Sequence, residues 1–170
     1  SNTIAIGAQQ NSDVSSSGYV RVFSWDGSSW QQKGNNIDGE AASDLSGSSV
    51  FMPDENTVAI GARGNDDNGY DAGHVRVYSW VSNSWQQKGN DIDGEAAGDA
   101  SGFSVSMPDL NTVSIGAPGN ADNGTNAGHV RIFIWDGSSW QQKGTDIDGE
   151  AAFDGSGRSV SMPDLNTVSI

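Results

Sequence analysis

The stretch "DGSSWQQKG" fills residues 26–34 and returns letter for letter at 136–144, with the near-copy "VSNSWQQKG" at 81–89 between them. Aligning the copies sets the organisation of the whole chain. Trp25, Trp80 and Trp135 stand 55 residues apart, as do Trp30, Trp85 and Trp140, so all six tryptophans occupy two positions of one repeat. Lys33, Lys88 and Lys143 keep the same step, and so do the Met-Pro pairs ending at Pro53, Pro108 and Pro163. A period near fifty with several strand-like runs per unit marks an array in which each unit buries its faces against its neighbours.

The third copy is the clearest guide to the strands of a unit. "FSVSM" (103–107) reads as a first strand, the turn "PDLN" follows, and "TVSIGA" (112–117) alternates apolar side chains as a second strand does. A loop rich in Gly, Asn and Asp leads to "HVRIFIW" (129–135). There Val130, Ile132 and Ile134 share one face while Arg131, Phe133 and Trp135 share the other. Bulk on both faces predicts a sheet sandwiched between two others. "WDGSSW" then reads as a hairpin that puts two tryptophans on paired strands, with "QQKG" as the outer, fourth strand. Each indole carries about 150–250 Å² of surface, enough to fill a gap between units. "DIDGEAAFDGSG" carries the chain to the next unit.

The chain opens "NTIAI" and closes "NTVSI", so three periods are cut inside a unit: approximately 2–55, 56–110 and 111–165, with 166–170 beginning a fourth. The first period is one residue short in "GAQQNSDVSSSGYV", and this variation in length marks a surface loop. Without an initiating Met, the chain is expected to be a processed product or a portion of something longer.

Composition narrows the partners. Eight Lys and Arg against 22 Asp and Glu give a formal charge of −14, which repels nucleic-acid backbones and anionic membranes. No apolar run approaches membrane-spanning length. With no Cys, neither disulfides nor thiolate metal sites brace the fold. The 23 glycines and abundant Asn, Asp and Ser predict an all-β chain of short strands and tight turns.

Residues 99–135, "DASGFSVSMPDLNTVSIGAPGNADNGTNAGHVRIFIW", resemble an FG-GAP repeat, the blade unit of integrin-like β-propellers. The matching pieces are Ser101, Gly102 and Phe103 before the first strand, Ser104 and Val105 within it, "IGAP" at 115–118 and "AGHVRIF" at 127–133. The resemblance recurs three times and implies propeller blades of four strands. It implies little about function, because the family serves adhesion receptors, secreted surface proteins and some enzymes. This chain departs from the pattern in two ways. The Phe-Gly pair is reordered as Gly102-Phe103, with Ser48 and Arg158 at the positions of Phe103. "PDEN" and "PDLN" are also too short to wrap the calcium ion that many relatives hold between the first two strands.

Two other acidic groups could hold a cation, with calcium as the ion expected. One comprises Asp93, Glu95 and Asp99, with equivalents Asp38, Glu40 and Asp44, and Asp148, Glu150 and Asp154. The other is the loop with Asp66, Asp67, Asn68 and Asp71, echoed by Asp122 and Asn123. Against both stands the habit of turn Asp and Asn of bonding their own backbone. His74 and His129 precede the third strand where the first unit has Tyr19, and this exchange reads as packing rather than ligation. No Ser, His and Asp grouping stands out for hydrolysis, and carboxylates that recur with every unit read as architecture. Asn123 begins the sequon "NGT", a glycan site if the chain is secreted from a eukaryote.

The expectation is therefore an all-β array of three four-stranded propeller blades, with a β-trefoil as the structural alternative. The expected role is a non-catalytic extracellular module for protein interaction or for self-association into a paired ring or fibre. A carbohydrate-binding module with tryptophan platforms is the functional alternative. Solvent exposure of the indoles discriminates between the two.

Overall fold

The computed structural model describes residues 2–9 and 16–170, so the shortened loop of the first period lies partly outside the described residues. The described chain is all-β and falls into separate antiparallel sheets, none of them closed.

The first sheet contains β1 (Thr3–Ala8), β2 (Tyr19–Trp25), β3 (Trp30–Gln32) and β4 (Ile37–Asp38). The second contains β5 (Ser46–Asp54), β6 (Thr57–Ala62), β7 (His74–Val81), β8 (Ser84–Gln87) and β9 (Ile92–Asp93). The third repeats that plan with β10 (Ser104–Asp109), β11 (Thr112–Ala117), β12 (His129–Trp135), β13 (Trp140–Gln142) and β14 (Ile147–Asp148), and β15 (Ser161–Asp164) and β16 (Thr167–Ser169) form a final pair. In the second and third sheets four strands are paired in sequence order, as the repeat predicts.

The sequence reading missed the two-residue strands β4, β9 and β14. The outer strand is too short to cover the head of the third strand, so the "ID" dipeptide returns to pair there, Ile147 opposite Val130 and Asp148 opposite His129. This brings the acidic "DIDGE" segment beside the histidine. The hairpins place Trp25 opposite Trp30, Trp80 opposite Trp85, and Trp135 opposite Trp140. Two different turns achieve this register. In the "DGSS" turns Asp26 and Asp136 accept hydrogen bonds from the amides two and three residues on. The middle turn is a two-residue loop whose Ser82 and Asn83 both take positive φ, 50° and 64°.

The core lies between sheets rather than inside any one of them. Val20 and Ile37 of the first sheet pack with Val50, Met52, Val58, Ile60 and Tyr78 of the second. On the opposite face of the second sheet Phe51, Ala59, Val75 and Val77 meet Val105, Met107, Val113, Ile115 and Phe133 of the third. Every residue of β6 and β11 is buried, as a strand covered on both faces must be. The approach is closest at glycine: a Cβ on Gly61 would lie 2.0 Å from the Gly102 carbonyl oxygen, and one on Gly116 would lie 2.0 Å from that of Gly157. Only glycine lets the backbones of neighbouring sheets come this near.

The β-trefoil alternative is corrected by this arrangement. A trefoil shares one central barrel among its repeats, whereas here the strands form separate open sheets stacked face to face, the second and third taking their first strand, β5 or β10, from the end of the preceding unit.

Candidate functional site

Two structures recur where the first sheet meets the second and where the second meets the third. The first is built from the "WQQKG" phrase. Lys33, just past the outer strand of the first sheet, donates from Nζ to the Glu55 carbonyl at 2.7 Å and to Asn56 Oδ1 at 2.8 Å, both in the β5–β6 turn of the second sheet. The same ammonium stands 5.1 Å from the Trp80 ring centroid and 5.5 Å from that of Trp85. Trp85 Nε1 donates back to the Lys33 carbonyl at 2.8 Å. Gly34 lies so close that a Cβ there would fall 2.5 Å from the Trp80 ring. Lys88 and Gly89 repeat the set on Leu110, Asn111, Trp135 and Trp140 of the third sheet. The tryptophans thus serve as the socket for the lysine of the preceding unit. Trp80, Trp85, Trp135 and Trp140 are half-buried in consequence, whereas Trp25 and Trp30 are exposed at 39% and 45%.

The second structure lies at the heads of the third strands. His74, Arg76 and Tyr78 alternate on the face of β7 that meets the first sheet, and Arg76 Nη2 donates to the Asp38 carbonyl at 2.8 Å. Arg76 Nη1 lies 3.5 Å from Glu40 Oε1. His74 Nδ1 lies 3.6 Å from Asp91 Oδ2 and 3.9 Å from Glu40 Oε2. With Asp67 from the β6–β7 loop, these groups form a cluster, Glu40, Asp67, His74 and Asp91, in which one donor atom from each lies within 4.8 Å of all the others. Glu95, Asp122, His129 and Asp146 form the same cluster between the second and third sheets. There His129 Nδ1 is 3.7 Å from Asp146 and 3.8 Å from Glu95, and Arg131 donates to the Asp93 carbonyl at 2.6 Å.

These clusters could hold a metal ion. Each is closed at its histidine end and open at its carboxylate end. Burial holds His74 and His129 below the usual imidazole value, and burial pushes the Glu40 and Glu95 carboxyls up despite the neighbouring arginines. Gln87 and Gln142 each donate to the carboxylate of the aspartate four residues on, Asp91 and Asp146, at 2.5 Å, which fixes the orientation of those side chains.

The sequence candidates divide on this geometry. Asp67, Glu95, Asp122 and Glu40 enter clusters. Asp66 instead accepts from the Asp71 amide at 2.7 Å, Asp71 itself takes φ 51°, and Asn68 Nδ2 donates to the Gly94 carbonyl at 2.7 Å. Asp99 is buried and accepts from the Glu95 and Ala96 amides and from Asn120, so it caps a turn; Asp44 caps its own in the same way, and Asp154 accepts from the Ala151 amide. Asp93 takes its place in the short β9 strand opposite His74, and burial raises its carboxyl pKa. Asp38 and Asp148 hold the equivalent places opposite Tyr19 and His129. Glu150 lends its carbonyl to Asn123 Nδ2 at 3.4 Å. The side-chain nitrogen of Asn123, the sequon residue, also donates to the Gly149 carbonyl at 2.7 Å.

The histidines are fully buried, as the packing reading expects, and each in addition stands against carboxylates from two segments. Asp91 and Asp146 escaped notice altogether. The signal available was the period itself: at the position of Asp91 and Asp146 the first unit has Asn36, just as it has Tyr19 at the position of the histidines.

No protein-family model matches the chain, and no curated protein matches it.

Proposed function

We propose that this chain is a non-catalytic structural module of propeller-type blades, working outside the cell, whose business is to join with further units of its own kind. The FG-GAP resemblance is the source of the blade reading, and the side-by-side sheets agree with it. The observation that carries the functional reading is the lysine-in-tryptophan socket. It is used twice inside the chain, and each end of the chain carries an incomplete copy: at the far end Lys143 keeps its turn contact, donating to the Leu165 carbonyl at 3.1 Å, with no indole pair beside it among the described residues. Trp25 and Trp30 form a socket with ring centroids 5.5 Å apart, and among the described residues no lysine caps it. At the other end a Cβ on Gly144 would meet nothing within 4 Å, whereas Gly34 and Gly89 press on indoles.

A second copy carries the complementary half. A face that takes the Lys143–Gly144 edge of another molecule makes a heterologous contact, which propagates as a fibre or closes as a ring. The carbohydrate reading is less well supported: lysines cap the four inner indoles, and the open pair is the same socket without its plug.

The test is the solution mass, set against the 17.7 kDa of one chain. Particles of two or more chains at about 100 µM are expected, a concentration that weak interfaces of modest area require. Trp30→Ser should return them to single chains while leaving the melting curve in place, since Trp30 is already exposed. A wild-type chain that stays single, or assembly indifferent to Trp30→Ser, removes the proposal. So does glycan binding that is lost with Trp30.

A further inference from the structure

The clusters around His74 and His129 have the makings of a built site. An imidazole can donate through one nitrogen and accept through the other, so a buried histidine ordinarily finds a hydrogen-bond partner for at least one of them. Here neither histidine does: His74 and His129 are 0% exposed, and both ring nitrogens of each lack a hydrogen-bond partner. Their Nδ1 atoms face carboxylate oxygens at 3.6–3.9 Å, too far for a hydrogen bond and suited to two ligands of a common ion. Four donor atoms within 4.8 Å of one another is the spread of a single coordination sphere. Bonds of about 2.0–2.2 Å to imidazole nitrogen and carboxylate oxygen put neighbouring donors some 3–3.5 Å apart, and small rotamer changes close that difference.

A second observation is independent of the geometry. The first unit replaces the histidine with Tyr19 and the facing aspartate with Asn36. Two potential ligands disappear together from one unit and are present together in the other two. Simple packing of a histidine gives no reason for the carboxylate to leave with it.

We infer that the joint between the first and second sheets and the joint between the second and third each bind one first-row divalent transition ion of the Zn²⁺ type, through Glu40, Asp67, His74 and Asp91 at the former and Glu95, Asp122, His129 and Asp146 at the latter. The nitrogen donor selects the metal class: calcium and magnesium prefer all-oxygen shells, while imidazole favours zinc and its neighbours. Glu40 belongs to the connection leaving the first sheet and the other three ligands to the second, so the ion clamps adjacent sheets. Arg76 and Arg131, at 3.5 Å from the other oxygen of each glutamate, hold that carboxylate in place.

The test is calorimetric titration of EDTA-stripped, dialysed chain with ZnCl₂ at neutral pH, and separately with CaCl₂. Two Zn²⁺ per chain are expected, with a melting temperature that rises with added Zn²⁺. Asp91→Asn and Asp146→Asn should each lower the stoichiometry to one, and the double variant to zero. In EDTA the variants should melt with the wild type, because the first sheet already carries Asn36 at that position. His129→Gln gives a second route to one ion per chain. The proposal is overturned if Zn²⁺ does not saturate, if the variants still bind two ions, or if Ca²⁺ binds within tenfold of Zn²⁺. The solution mass measured in EDTA addresses the assembly reading separately, so each can fail alone.

Discussion

The first and second sheets are spelled with nearly the same words and end in different circumstances. "YVRVFSW" and "HVRVYSW" form the same third strand, and each hairpin closes one tryptophan on another. Yet the indoles of the second sheet receive Lys33 and Gly34, while those of the first stand in solvent. The second sheet gathers an acid and histidine cluster at the head of its third strand, whereas the first has Tyr19 and Asn36 there, with Arg21 over the tyrosine ring at 5.8 Å. The comparison shows that a motif in this chain is half of an interaction. What "WQQKG" or "HVR" does depends on which neighbour supplies the other half.

The largest effect should come from filling a covered glycine and an open one. Gly89→Ala puts a methyl 2.5 Å from the Trp135 ring at a φ of 80°, and should cost about 3 kcal/mol through overpacking and strain together. Gly144→Ala meets the φ penalty alone, about 1 kcal/mol. Chemical denaturation of the two variants measures the difference, and equal losses would show that the socket contributes nothing.

Arg131→Leu probes the joint at the histidine end. It removes the bond to the Asp93 carbonyl and leaves Glu95 without its neighbouring cation, so a loss of about 2 kcal/mol is expected in denaturant midpoint experiments. An unchanged midpoint would mean that the arginine is ornamental and the sheets are held by apolar contact alone.

The smallest effect distinguishes the two turn types. Backbone bonds from Ser139 and Ser138 hold the Asp136 carboxyl down to about 2. A carboxylate with a depressed native value contributes stability that is complete above the ordinary value of 3.8 and is lost as pH falls toward 2. Asp136→Asn should therefore flatten the fall in melting temperature between pH 5 and 2, while a Val81→Ile change in the middle hairpin, where no aspartate caps the turn, should leave that slope as it is. Identical slopes in wild type and Asp136→Asn would remove the turn from the acid response.

Much of the fold could be read directly. The runs at 112–117 and 129–135 became β11 and β12 with those bounds, because alternation of apolar side chains is a local signal and the strands are covered on both faces. The tryptophan hairpins followed from turn chemistry. The candidate site is legible in the sequence only in pieces: Glu40, Asp67, Glu95 and Asp122 stand out as acids in loops, the histidines read as packing, and nothing local marks Asp91 or Asp146. Each cluster spans 51 residues of chain, from Glu40 to Asp91 and from Glu95 to Asp146, a separation at which local pattern carries no information.

By itself, then, the sequence determined the unit: its period, its longer strands and the turns of its tryptophan hairpins. These depend on neighbours within one hairpin, where backbone preference and alternation decide the outcome. Tertiary structure decided the joints, namely which lysine meets which indole pair and which glutamate reaches which histidine. The reason is that each joint is made across two sheets, and the energy that selects it comes from burying faces neither sheet can bury alone.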